Sequence, residues 1–168
     1  MADQRLVIVN TTPLINFAQI GRLDLLQQLF GEVVLPPAVV AELSAKRHLF
    51  PLAADVPNAA FIRVATPMNA AVVATLTLDL HLGEAECLAL ALEQPAKVLL
   101  VLDDLAARQA AGHHQLSFMG TVGCLTLAKK RGLISKIAPL LDDLRRLARF
   151  WLTEDLIQAI LKNCGERT

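Results

Sequence analysis

Net charge is the first thing this sequence lacks. Its 16 Lys and Arg are matched by 16 Asp and Glu, and the isoelectric point is about 6.9. That balance excludes broad, charge-driven coating of nucleic acid, though not a local basic rim. Cysteine is scarce: Cys87, Cys124 and Cys164 are far apart and odd in number. No metal-ligand or redox spacing is present, so buried free thiols in a cytoplasmic protein are expected. Although 54% of the residues are hydrophobic and the mean hydropathy is +0.47, no stretch reaches about 18 uninterrupted apolar residues, so no membrane span is expected. The start, Met-Ala-Asp-Gln-Arg, does not have the shape of a signal peptide. Repeats, linkers and low-complexity segments are also missing. A length of 168 residues suits one domain, 1–168, with a real core.

What is present is an alternation of short apolar runs and helical patterns. Leu-Val-Ile-Val ends at Asn10 and reads as a buried strand. Thr12 and Pro13 suit the cap and first position of a helix. Val33-Val34-Leu35 is a second strand, broken by Pro36-Pro37, which seed a helix carrying Glu42. From Lys46 to Pro67 the pattern weakens to loops with one strand candidate at Phe61 to Val64. Asn69 to Leu80 is helical in propensity. A further helix opens on Glu84, and Val-Leu-Leu-Val-Leu then ends on Asp103 and Asp104. Leu105 to His113 follows as a helix with Arg108. Leu116 to Met119 reads as a strand, and Gly120-Thr121-Val122-Gly123 turns into the next helix. Leu133 to Arg149 reads as one helix with Leu140, Leu141, Leu144 and Leu147 on one face. Thr153 caps the last helix, so helices fill residues 133–163. Such alternation predicts a parallel sheet with helices on both faces.

Ligands bind at the carboxyl ends of strands in such sheets. Asn10, Glu42, Glu84, Asp103 and Asp104 can all reach that edge. Each has an ordinary reading alone, as a helix cap, a dipole partner or a solvated charge. Together they would repel unless a cation sat among them. A hard ion such as Mg²⁺ or Mn²⁺ suits an all-oxygen site and can activate water and clamp a phosphodiester. Glu86, two residues from Glu84, points to nearly the opposite helix face and is expected to be solvated. His113 and His114 read as surface residues, and Lys129, Lys130 and Arg131 as partners of a helix C-terminus.

The motifs Val-Asn-Thr-Thr-Pro-Leu-Ile, Leu-Pro-Pro-Ala-Val-Val-Ala-Glu-Leu, Leu-Gly-Glu-Ala-Glu-Cys-Leu-Ala-Leu-Ala, Leu-Asp-Asp-Leu-Ala-Ala-Arg-Gln-Ala and Gly-Thr-Val-Gly, in this order, resemble a PIN-domain protein. The resemblance covers nearly the whole chain and is similar to the toxin nucleases of VapBC-type modules. It implies a three-layer α/β/α fold with a central parallel sheet of about four to five strands. It also implies a metal-dependent endoribonuclease using Mg²⁺ or Mn²⁺, acting on RNA, paired with a small antitoxin protein. By the same resemblance Glu42, Glu84 and Asp103 are the catalytic acids, with Asp104 the alternative to Asp103 by a one-residue shift. Asn10 joins the metal set. Thr12, Arg108 and Thr121 are placed near substrate. The Leu stripe is core or the face of a homodimer.

The family's first strand normally ends in Asp, where this chain has Asn10. Two readings therefore stand: a working ribonuclease, or a degenerate scaffold that binds RNA or protein without cutting. A phospho-acceptor receiver domain is a third. The missing acidic pair after the first strand and the absence of a suitable late Lys count against it.

Overall fold

The computed structural model of the chain describes residues 5–167; Met1 to Gln4 and Thr168 lie outside the described residues. Five parallel strands form one sheet: β1 (Leu6–Val9), β2 (Val33–Leu35), β3 (Ile62–Val64), β4 (Val98–Val101) and β5 (Phe118–Met119), in the order β3-β2-β1-β4-β5. The order reverses between β1 and β4, so these two central strands bound the switch point of the sheet. They pair over four residues, from Leu6 with Val98 to Val9 with Val101. All of β4, and all of β1 but Leu6, is buried, as strands covered on both faces must be.

The helices are α1 (Thr11–Gln19), α2 (Asp24–Phe30), α3 (Pro37–Ala45), α4 (Pro51–Ala54), α5 (Ala70–Leu76), α6 (Leu82–Glu93), α7 (Leu105–His113), α8 (Thr121–Lys130), α9 (Ala138–Leu147) and α10 (Glu154–Asn163). In this three-layer arrangement α6 packs on β1 and β4, with α3, α5 and α7 beside it. Helices α1 and α2 pack with α8, and α9 against α1. The core runs from Phe17, Leu25 and Leu26 through Ile8 and Leu100 to Leu88 and Leu125, all fully buried.

Several local expectations are corrected. Helix α1 starts at Thr11, with Asn10 in the cap position, so Thr12 is not the cap and Pro13 is the third helical residue. Its missing N–H costs nothing there, because the first amides of a helix have no internal partner. The long helix expected over 133–149 is only α9. A helix begun at Leu133 would put Pro139 in its interior, where the ring clashes with the preceding turn. Arg149, at φ +54°, ends the element in the left-handed region. Leu140, Leu141 and Leu144 are buried, but Leu147 is 41% exposed. Cys87 and Cys124 are buried as expected, whereas Cys164 is half-buried.

Two helix starts have no cap of their own and borrow a distant carboxylate. Ala38 near the start of α3 donates its N–H to Glu86 Oε2 at 2.8 Å, so Glu86 is a tie between α6 and α3 rather than a solvated residue. At α9, Ile137 and Ala138 donate to Glu166 at 2.7 and 3.1 Å, and the Lys129 ammonium lies 3.1 Å away. Burial pushes the Glu166 carboxyl up, but these bonds together outweigh it and hold it below the usual value. A depressed folded-state pKa gives stability that is complete above the unfolded value and is lost as pH falls through the folded one. Glu166→Ala should therefore lower the melting temperature at neutral pH. The deficit should shrink in acid, as pH falls through the depressed folded value, below which the natural carboxyl is protonated in both states. Melting curves across pH check this; a deficit that is constant with pH would contradict it.

Candidate active site

A cleft of about 520 Å³ opens at the carboxyl edge of the sheet, lined by Thr12, Glu42, Lys46, His81, Gly83, Glu84 and Asp104 among others. Helix α3 carries Glu42 to it, the first turn of α6 carries Glu84, and the residue closing the β4–α7 turn is Asp104. Asn10 lies behind Gly83: an added Cβ on that glycine would stand 3.2 Å from Glu42 Oε2 and 3.7 Å from Asn10 Oδ1. The bare glycine thus lets α6 approach both. Asn10 is 4% exposed, and its Oδ1 is buried with no hydrogen-bond partner among the described residues. Its side chain makes no capping bond to α1. An orphaned buried carbonyl is costly, by about 1–3 kcal/mol.

Each acid of the cleft is already partly held. Glu42 accepts from Thr11 Oγ1 at 2.8 Å and pairs with Lys46 Nζ at 2.6 Å. Glu84 Oε2 accepts the His81 N–H at 3.1 Å. Asp104 Oδ1 caps α7 through Ala107 N–H at 2.9 Å. Burial pushes the Glu84 carboxyl up; the His81 N–H opposes this, while Asp104 and Glu42 add to it. The carboxylates of this cleft therefore act on one another.

Asp103 has a different set of partners. Its Oδ1 accepts the Thr121 N–H at 2.8 Å, and its Oδ2 accepts Thr121 Oγ1 at 2.5 Å and Asn16 Nδ2 at 3.2 Å. Asn16 also donates to Thr121 Oγ1 at 3.1 Å. Burial raises the Asp103 carboxyl, against the Thr121 bonds, the Arg108 charge and the Asn16 bond. Arg108 stacks over the Phe118 ring at 5.3 Å. So Asp103, Thr121 and Arg108 form one group, while Thr12, Glu42, Glu84 and Asp104 form the cleft, with Asn10 at its back. No local pattern points to Asn16, whose partners are remote in the chain. Lys46 was legible as a Glu-to-Lys pair at helical spacing. The two buried thiols offer no nucleophile: burial, with Asp103 nearby, lifts Cys124 to about 12, and Cys87 is raised well above its ordinary value by burial and the neighbouring acids.

A smaller cavity, about 280 Å³, involves the other ends of β1 and β2, with Arg5, Glu32, Arg63 and Gln94 in its lining. Glu32 and Arg63 pair there at 2.7 Å, and no set of acids gathers as in the cleft.

A family profile described as a PIN domain matches residues 6–166. The chain belongs to the PIN-domain family. No curated protein and no solved structure matches it. PIN domains are nucleases in general and use divalent metal ions. Among the described residues, no three His, Cys, Asp or Glu side chains converge as a ready cage for such an ion. The donor chemistry of the PIN cleft nevertheless fits one. Its acids and the unpartnered Asn10 carbonyl are all oxygen donors, as a hard cation that keeps much of its water prefers.

Because Glu84 has a raised folded-state pKa, its contribution to stability is greatest below the unfolded value and declines as pH rises through the folded one. In chelator-treated buffer, Glu84→Gln should therefore raise the melting temperature at neutral pH. The gain should vanish in mild acid, where the natural carboxyl is protonated. The Gln carbonyl can still accept from His81. A loss of stability at neutral pH would show that the charge is not the dominant cost.

Proposed function

We propose that this chain is a PIN-type endoribonuclease that cuts RNA with Mg²⁺ or Mn²⁺ at the cleft of Glu42, Glu84, Asp104 and Asn10. The single observation that carries the reading is that Glu42, Glu84 and Asp104 line one cleft with the unpartnered Asn10 carbonyl behind it. Glu42, Glu84, Asp104 and Asn10 would hold the ion. When bound, a divalent cation supplies charge neutralisation and an activated water. Glu84, its carboxyl raised by burial, is suited to accept a proton. Exposed Thr12, in the first turn of α1, offers a hydroxyl to a phosphate at a helix N-terminus. Asp103 serves this reading as a positioning residue: it holds α8 and Asn16 against the end of β4, with Arg108 balancing its charge. By resemblance, the biological setting is a toxin held in check by a small antitoxin protein in the cytoplasm.

Asn10 favours a second reading, a PIN scaffold that binds RNA or a protein without cutting. An Asn carbonyl can ligate a metal but brings no charge. The test is cleavage of a mixed RNA with Mn²⁺ by the natural protein, Asn10→Asp and Asp104→Asn. On the nuclease reading the natural protein cuts and Asn10→Asp cuts at least as well, because the added charge raises metal affinity. Asp104→Asn should lose most activity, while Asp103→Asn should chiefly lose stability. Mn²⁺ should also raise the melting temperature, by an amount equivalent to about 1.4 kcal/mol at ten times Kd. No cleavage by the natural protein, with gain of cleavage in Asn10→Asp, would establish the scaffold reading. No cleavage by either, and no Mn²⁺ shift, would refute the metal site.

A further inference from the structure

An acid-lined cleft repels the phosphodiester it is meant to hold. A basic side chain in its wall would offset that repulsion alongside a cation. Among the residues lining the cleft, Lys46 is the one Lys or Arg. Arg108, the other basic candidate, is taken up by Phe118 and Asp103. Lys46 sits at the end of α3, one turn beyond Glu42, with its ammonium 2.6 Å from Glu42 Oε1. An exposed pair at this spacing is ordinarily a weak surface contact. Here the other oxygen of Glu42 is fixed by Thr11 Oγ1, so the carboxylate cannot follow the lysine into solvent. The ammonium is held at the mouth of the cleft, on a side chain that is still 40% exposed and free to turn.

We propose that Lys46 is the phosphate-binding group of this cleft, held on Glu42 until substrate arrives. The inference rests on the nuclease reading and deepens it. In the free protein the ammonium neutralises Glu42 and competes with any divalent ion for its oxygen. With the ion on Glu42, the displaced ammonium turns to a phosphate oxygen of the RNA backbone. No covalent step is involved. Lys46 is thus a positioning and affinity residue, and it makes two predictions of opposite sign. Its removal should weaken binding of the nucleic acid while strengthening binding of the metal.

The experiment uses the full chain, Lys46→Met and Lys46→Arg. The probe is a fluorescent single-stranded 2′-O-methyl oligonucleotide, checked on a gel to stay intact throughout, read by anisotropy with saturating Mn²⁺. Mn²⁺ binding alone is read by calorimetry. Lys46→Met should raise the oligonucleotide Kd roughly tenfold, the size of one charge-assisted contact. The slope of log Kd against log salt should fall by about 0.7, as for one lost phosphate contact on a single strand. Lys46→Arg should restore most of both. Mn²⁺ should bind Lys46→Met more tightly than the natural protein. A purely structural ion pair would instead lower the melting temperature and weaken both ligands together, which overturns the proposal. An unchanged oligonucleotide Kd in Lys46→Met, with natural protein that binds, overturns it while leaving the nuclease reading in place. No binding of oligonucleotide or Mn²⁺ by the natural protein overturns both.

Discussion

The pairing of β1 with β4 is the constraint on which the rest of this structure depends. Four residues of each strand lie in register, and the Asn10 N–H extends the ladder to Val101 O at 3.1 Å. The two strands are far apart in sequence, so the pairing closes most of the chain into one loop. Their apolar side chains are covered on both faces, and the hydrophobic gain from that burial offsets the cost of closure. Once the strands are paired, they end together. Helix α1 starts straight after Asn10, and α7 straight after Asp104. Both helix N-termini therefore open at one edge, where unpaired amides favour acceptors and anions. The position of the cleft is a consequence of that register.

Gathering acids at such an edge carries an electrostatic cost, and the chain offsets it differently at each residue. Asp103 is solvated by protein donors, Thr121 and Asn16. Glu84 has one backbone N–H, and Glu42 has a lysine and a hydroxyl. The burial-driven rise at Glu84 and Asp103 shows that the compensation is incomplete. Asn at position 10 limits the same cost. A carboxylate there would sit buried at the back of the cleft, close to Glu42, and would add another like charge. The neutral amide avoids this, but leaves its carbonyl without a donor. The residue thus exchanges charge repulsion for an orphaned acceptor, a sensible exchange only where something else can approach that oxygen.

Much of the fold was legible because local signals agreed with it. The spans of β2 and α7 coincide with the sequence pattern, and Thr153 caps the last helix through Leu156 N–H as its type suggests. The parallel sheet followed from alternation alone. Long-range capping was not legible. Glu86 and Glu166 look like surface carboxylates, and only the folded chain brings them to the helix starts of α3 and α9. Periodicity likewise carried a helix across Pro139, because apolar spacing continues through a residue that backbone geometry makes a starting point. At the cleft, the gathering of Glu42, Glu84 and Asp104 at the carboxyl edge was readable. The split of Asp103 from Asp104 was not, since it depends on which side of the sheet each side chain takes.

That division turns on one residue step. Successive side chains at the end of an extended strand point to opposite faces of the sheet. Asp103 and Asp104 cannot then serve the same surroundings. Asp103 turns to α1 and α8, where Asn16 and Thr121 receive it; Asp104 turns to the side of α6, where it acts on Glu84. Each side has a glycine that makes room for a carboxylate. A Cβ on Gly120 would stand 2.7 Å from Asp103 Oδ1, closer than real contacts allow, and one on Gly83 would crowd Glu42. The tighter requirement is on the Asp103 side, where the acid is locked among donors. The looser one is on the side of Asp104, Glu84 and Glu42, where a Cβ on Gly83 would stand 3.2 Å from Glu42 Oε2. An acid locked among donors at the sheet edge and an acid turned toward Glu84 and the cleft thus follow from one strand end.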